Sequence, residues 1–168
     1  HAPHHRDEKS VHFEDAARGI VGLETLLPLS LALVEQGVMT LERMVDALFE
    51  CAARLFGLRF VEQPQVRAYH PDVKVYEVQD AASGRLMGVF LHDNFARASK
   101  RSGAWMSSYR EQSRHGGGVL PIVVNNNNFA RGAPGEPTLL SFDDARTLFH
   151  EFGHGLHGLL SDVTYERL

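Results

Sequence analysis

His150, Glu151 and His154 stand in the run Leu148-Phe149-His150-Glu151-Phe152-Gly153-His154. Residues four apart on a helix share a face, so two imidazoles at this spacing can reach one metal ion. A carboxylate beside the first histidine can hold a water at that ion and take its proton, which is the chemistry of hydrolysis. The ion that suits these donors is zinc, one per chain. A catalytic zinc takes three protein ligands and keeps a fourth position open. This segment supplies two. His157 follows His154 by three residues, on nearly the same stripe. Imidazoles at helical positions 0, 4 and 7 rarely converge on one tetrahedral centre, so a hydrogen-bonding or packing role is expected of it. His70, His92 and His115 are isolated, and surface or turn roles are expected of each.

The three residues need a helix to carry them. Ser141 is placed to cap one, with Asp144 as the acidic partner of a capping box. Ala145, Leu148, Phe149, Phe152, Leu156 and Leu159 make its apolar stripe, and the histidines and Glu151 project elsewhere. Asp143 and Asp144 suit the positive end of the helix dipole. Gly153 and Gly155 each disfavour a helix interior by about 1 kcal/mol against Ala. Close packing, or a substrate approaching the backbone, is the expected reason for them.

Upstream, Pro28 starts a buried helix that Gly37 ends. Thr40 caps a second helix that runs to Phe56, with Gly57 as its stop. Residues 73–80 alternate as a strand does, Ala81 to Gly84 form a turn, and Arg85 to His92 return, which predicts a β-hairpin. Residues 94–101 are expected as a short helix or loop. Val119 to Val124 is a short strand, and Asn125 to Asn128 fall to loop or strand end, because asparagine side chains compete for backbone hydrogen bonds. The expected fold is α+β: mostly helical, with a small antiparallel sheet and the zinc-binding helix at the C-terminal end.

The chain has 168 residues, 43% hydrophobic and 23% charged, with a net charge of −4. That suits a globular protein and gives no basic patch for nucleic acid. No apolar run approaches the roughly 20 residues that cross a bilayer. A membrane partner is therefore not expected. The single Cys51 cannot form an internal disulfide and is expected in the core. A reducing, cytoplasmic setting fits it.

Longer runs add a resemblance. Residues 72–165 resemble the zinc peptidyl-dipeptidases of the thimet oligopeptidase family, through Asp72 to Val78, Gly103-Ala104-Trp105-Met106, Pro121 to Phe129 and, most specifically, Leu139 to Tyr165. Residues 50–71 fit less sharply. The wording favours the dipeptidyl carboxypeptidase branch. The resemblance implies that His150 and His154 bind zinc and that Glu151 is the general base. It implies a two-lobed, mostly helical shell whose channel admits only short unstructured peptides. The implied reaction is release of C-terminal dipeptides. The family's third ligand is a Glu that matches no residue here, so it would come from outside this chain. Residues 49–168 are then part of a larger metallopeptidase catalytic domain.

Residues 1–48 follow a different pattern. His1 to Leu33 resembles the C-terminal end of a dihydroorotase of the amidohydrolase class, and His4 matches that family's substrate-binding histidine. A chain joining two truncated genes, or an assembled or designed chain, explains both halves better than one enzyme with a 48-residue extension. Three functions are carried forward: zinc-dependent hydrolysis of short peptides, an inactive metal- or partner-binding fragment, and a dihydroorotase-like cyclic amidohydrolase.

Overall fold

The computed structural model describes residues 39–165. The helix expected after Pro28, and His4, lie outside the described residues. The first described helix, α1, is Leu41–Phe56. Thr40 caps it as expected, its hydroxyl accepting a hydrogen bond from the Arg43 amide. Leu41, Met44, Leu48 and Ala52 form the buried face. Gly57 ends the helix with φ 63°, a left-handed conformation that a side chain would strain. Cys51 is only half-buried rather than in the core. Burial still raises its thiol pKa.

Five strands follow: β1 (Leu58–Glu62), β2 (Lys74–Asp80), β3 (Leu86–Phe95), β4 (Trp105–Arg110) and β5 (Ile122–Phe129). The second helix, α2, is Phe142–Leu159 and closes the order. The strands form one sheet, ordered β1-β2-β3-β5-β4. β2 and β3 make the predicted hairpin. β3 and β5 run parallel, and the other three pairings are antiparallel. The long connection between β3 and β5 is what a parallel pair needs, and β4 is laid down within it.

The expectation of a mostly helical fold with a small antiparallel sheet is therefore wrong. Helices of 16 and 18 residues stand beside strands of 5, 7, 10, 6 and 8, so the two contents are about equal and the sheet is mixed. Nor is a zinc-binding C-terminal helix shown. α2 is present, but no group of three His, Cys, Asp or Glu among the described residues is placed to hold a metal ion. No helix among the described residues is long and apolar enough to cross a membrane.

The asparagine run also departs from the expected loop or strand end. β5 continues through Asn125, Asn126, Asn127 and Asn128. It lies between β3 and β4, so its backbone pairs on both sides. The side chains then bond away from the ladder: Asn127 donates to the Asn94 side chain at 2.8 Å, and Asn128 to the carbonyls of Arg101 and Gly103. Likewise β3 runs on to Phe95, taking the first residues of the stretch expected as helix or loop.

Both helices cover the same sheet face. Phe49 of α1 stacks on Phe60 of β1 at 4.2 Å between ring centroids. Phe152 of α2 meets Phe90 of β3 edge-on at 5.5 Å and Phe60 at 5.7 Å. Such aromatic pairs add about 0.5–1.5 kcal/mol each to the burial of the rings. Gly88 of β3 is buried where β3, Pro121 and α2 crowd together. A Cβ there would lie 2.9 Å from the Pro121 carbonyl oxygen and 3.0 Å from Leu159 Cδ2.

The opposite face carries Asp93, fully buried. Arg97 grips both its oxygens at 2.7 and 2.6 Å, the Tyr69 hydroxyl donates at 2.8 Å, and Lys100 Nζ lies 2.9 Å away. Lys100 also donates to the carbonyls of Asp93, Phe95 and Asn127, which ties β3 to β5. Burial alone would raise the Asp93 pKa, but the bonds from Arg97, Lys100 and Tyr69 together hold it at about 2.

Two stability predictions follow from these contacts. Gly88→Ala should lower unfolding free energy by about 1–3 kcal/mol in urea titration, because a backbone oxygen cannot move aside. Asp93 binds fewer protons folded than unfolded, so its contribution is present above about pH 4. It should be lost as pH falls toward about 2, on the order of 2 kcal/mol. Acid titration of unfolding stability should show this loss, and Asp93→Asn should remove that part of the slope.

Candidate metal centre

The helix carrying the motif is built as its sequence requires. Ser141 caps α2 in a reciprocal box: the Asp144 amide donates to the Ser141 hydroxyl at 3.1 Å, and the Ser141 amide donates to the Asp144 carboxylate at 2.9 Å. Ala145, Leu148, Phe149, Phe152, Leu156 and Leu159 are all buried, as the stripe predicts, and Gly155 joins them. At about 100° per residue, His150 and His154 fall within about 40° of each other on the side away from the sheet.

The two rings face one another. His150 Nε2 and His154 Nε2 are 3.1 Å apart, with ring centroids at 4.8 Å and planes at 79°. Two nitrogens at about 2.0–2.1 Å from a tetrahedral ion would be about 3.3 Å apart. The donor pair therefore fits half of such a site. The same spacing suits a hydrogen bond from one neutral ring to the other. Burial, and then the neighbouring rings of His150 and His157, lower the His154 pKa. His157 is exposed on the same side of the helix.

Glu151 is half-buried on a different flank. Gly155 and Gly158 follow it by four and seven residues, so the three share that flank. A Cβ at Gly155 would be 3.0 Å from Asn125 Oδ1, and one at Gly158 would be 3.1 Å from Val123 Cγ2 and 3.5 Å from Met106 Cε. This flank rests on β5 and β4, and close packing is the reason for Gly155. β4 is the edge strand here, and Ser107 to Arg110 are exposed.

Sequence reasoning did not find β1 or β4 as strands. β1 has only five residues, and two of them are charged. In β4 the Ser107-Ser108 pair breaks any apolar alternation. His92 was expected at the surface or in a turn. It is instead buried, because it points from β3 into the helix-covered face.

Comparison with known proteins agrees with this local pattern. Residues 31–168 match peptidase family M3. The chain is 46% identical to the dipeptidyl carboxypeptidase of Escherichia coli (strain K12) over 123 residues, which is 73% of this chain and 18% of that protein. It is 41% identical over 123 residues to oligopeptidase A of the same organism, covering 72% of this chain and 18% of the relative. It is also 60% identical over 58 residues to the dihydroorotase of Pelobacter propionicus (strain DSM 2379 / NBRC 103807 / OttBd1), 34% of this chain and 14% of that protein. The chain thus spans under a fifth of the peptidases it matches. With most of its length matched, the chain belongs to peptidase family M3.

Proposed function

We propose that this chain carries part of the catalytic apparatus of a zinc metallopeptidase that hydrolyses short unstructured peptides, releasing C-terminal dipeptides. The observation that carries the reading is the 3.1 Å approach of the His150 and His154 Nε2 atoms. In this reading the two imidazoles hold one zinc ion, and no third ligand lies beside them among the described residues. The ion, when bound, supplies Lewis acidity to water and to the scissile carbonyl. Glu151 orients the attacking water, takes its proton on a carboxylate oxygen, and delivers it to the departing amine. The peptide lies extended along the outer edge of β4, whose free backbone groups can pair with it as an added strand. That edge flanks the side of α2 that bears Glu151.

A second reading is a metal- or partner-binding piece without turnover. It is favoured by the lack of a three-ligand cluster among the described residues. The 58-residue similarity to a dihydroorotase then marks a second, separate segment at the start of the chain.

Equilibrium dialysis with zinc, read by elemental analysis, should give one weakly held ion per chain. His154→Ala should weaken it by more than about tenfold, because one of two ligands is gone. Retention of full affinity in that variant removes the proposed site. For turnover, the matched 123 residues should be grafted into the E. coli dipeptidyl carboxypeptidase. Dipeptide release from a quenched peptide is expected there. Glu151→Gln in the graft should keep zinc and lower kcat by about 10²–10⁴-fold. Zinc binding with no release in the graft favours the second reading.

A further inference from the structure

His150 and His154 offer one edge of a tetrahedron. Their Nε2 atoms are 3.1 Å apart, against about 3.3 Å between any two nitrogen donors of a tetrahedral zinc. The two rings stand at 79° to one another. Two further positions belong to such a centre. Among the described residues no third His, Cys, Asp or Glu joins the pair to fill one.

The two missing donors of a tetrahedron form an edge of the same length, at right angles to the first. A two-fold axis through the ion carries one edge onto the other. A second copy of this chain therefore supplies what the first lacks: an identical pair, at an identical spacing, related by the commonest symmetry of protein dimers. The surroundings of the pair permit such an approach. His150 is exposed and His154 half-buried, on the side of α2 away from the sheet. Gly153 between them has no side chain to stand in the way. Arg146, one turn before His150, has its charge balanced by Asp143 at 3.5 Å. Four neutral imidazoles leave both positive charges of the ion uncancelled, and each chain carries a net charge of −4. An ion shared by two acidic chains thus eases their repulsion.

We propose that zinc joins two copies of this chain, each giving His150 and His154 to one ion. The inference rests on the metal reading above and adds a control of the same site. An ion held by four imidazoles has no position left for water, so the joined form does not hydrolyse peptides. When zinc is scarce, two copies share an ion that either alone holds weakly. When zinc is in excess, each copy takes its own ion and the two separate.

Zinc chloride is the probe, titrated into the whole chain at fixed protein concentration. Mass is read by sedimentation equilibrium and bound zinc by elemental analysis. The mass should double as zinc reaches one ion per two chains, fall back once zinc exceeds one ion per chain, and return to the single-chain value in EDTA. His150→Ala and His154→Ala should each stay single at every zinc level, and His157→Ala should behave as the unaltered chain. His150 is exposed, so if His154→Ala fails to fold, His150→Ala decides alone. No doubling at any ratio, doubling that persists in EDTA, or doubling that survives His150→Ala would overturn the proposal. Zinc bound one to one without doubling leaves the metal reading standing, whereas no bound zinc removes both.

Discussion

The distance between α2 and β5 sets everything else at the centre. Gly155 and Gly158 leave no side chain between the helix and the strand, so Asn125 and Val123 come within about a methyl's breadth of the helix backbone. A helix held that close cannot rotate without driving Leu148, Phe152 or Leu159 out of the core. The inner stripe therefore fixes where the outer stripe points. His150 and His154 meet because of their spacing, and their common direction is set by the residues on the far side of the helix. Helix propensity runs against both glycines. Packing outweighs it, since a core of large side chains supplies several such increments.

The sheet needs its own restraint, because β5 carries four asparagines where a central strand usually carries apolar residues. The Asp93 cluster supplies it from the opposite face. A carboxylate removed from water is stable only if nearly every lone pair is used, and here Arg97, Tyr69 and Lys100 use them. Lys100 then spends its remaining donors on carbonyls of both β3 and β5. Asn128 extends the restraint to the turn at Gly103 that leads into β4. The edge strand is thus positioned by polar contacts, whereas the helix above it is positioned by apolar ones.

What the sequence makes legible follows the same division. α2 was readable because its signals are local: a cap at Ser141, a stripe at 3.6-residue period, and a motif at i and i+4. α1 was readable from Thr40 and Gly57 for the same reason. The β2–β3 hairpin has a short turn and clear alternation. β4 and the asparagine half of β5 fail these tests, since their pairing is long-range and their side chains are polar, whereas Ile122 to Val124 lie in the stretch expected as a strand. Asn125 to Asn128 look like a loop until the neighbours on both sides are known. His92 is a similar case. Nothing local marks it as buried, and its register partners Lys74 and Asn125 come from two other strands.

The arrangement of α2 also limits how firmly its two imidazoles could hold an ion. Two imidazoles on one exposed helix face lose little side-chain freedom on binding an ion, yet they offer only two of the ligands a tetrahedral centre takes. The rest of the field around an ion comes from whatever covers that face. In this chain His150 is exposed and His154 only half-buried, so water competes for the ion and screens its charge. Rigidity of α2 preorganises the pair, but it cannot replace a third anionic donor. A polypeptide segment that brought a carboxylate over this face would do two things at once: complete the ligand set, and remove the water that weakens it. The strength of the centre and its enclosure are therefore coupled, and both lie with whatever packs against the outer face of α2.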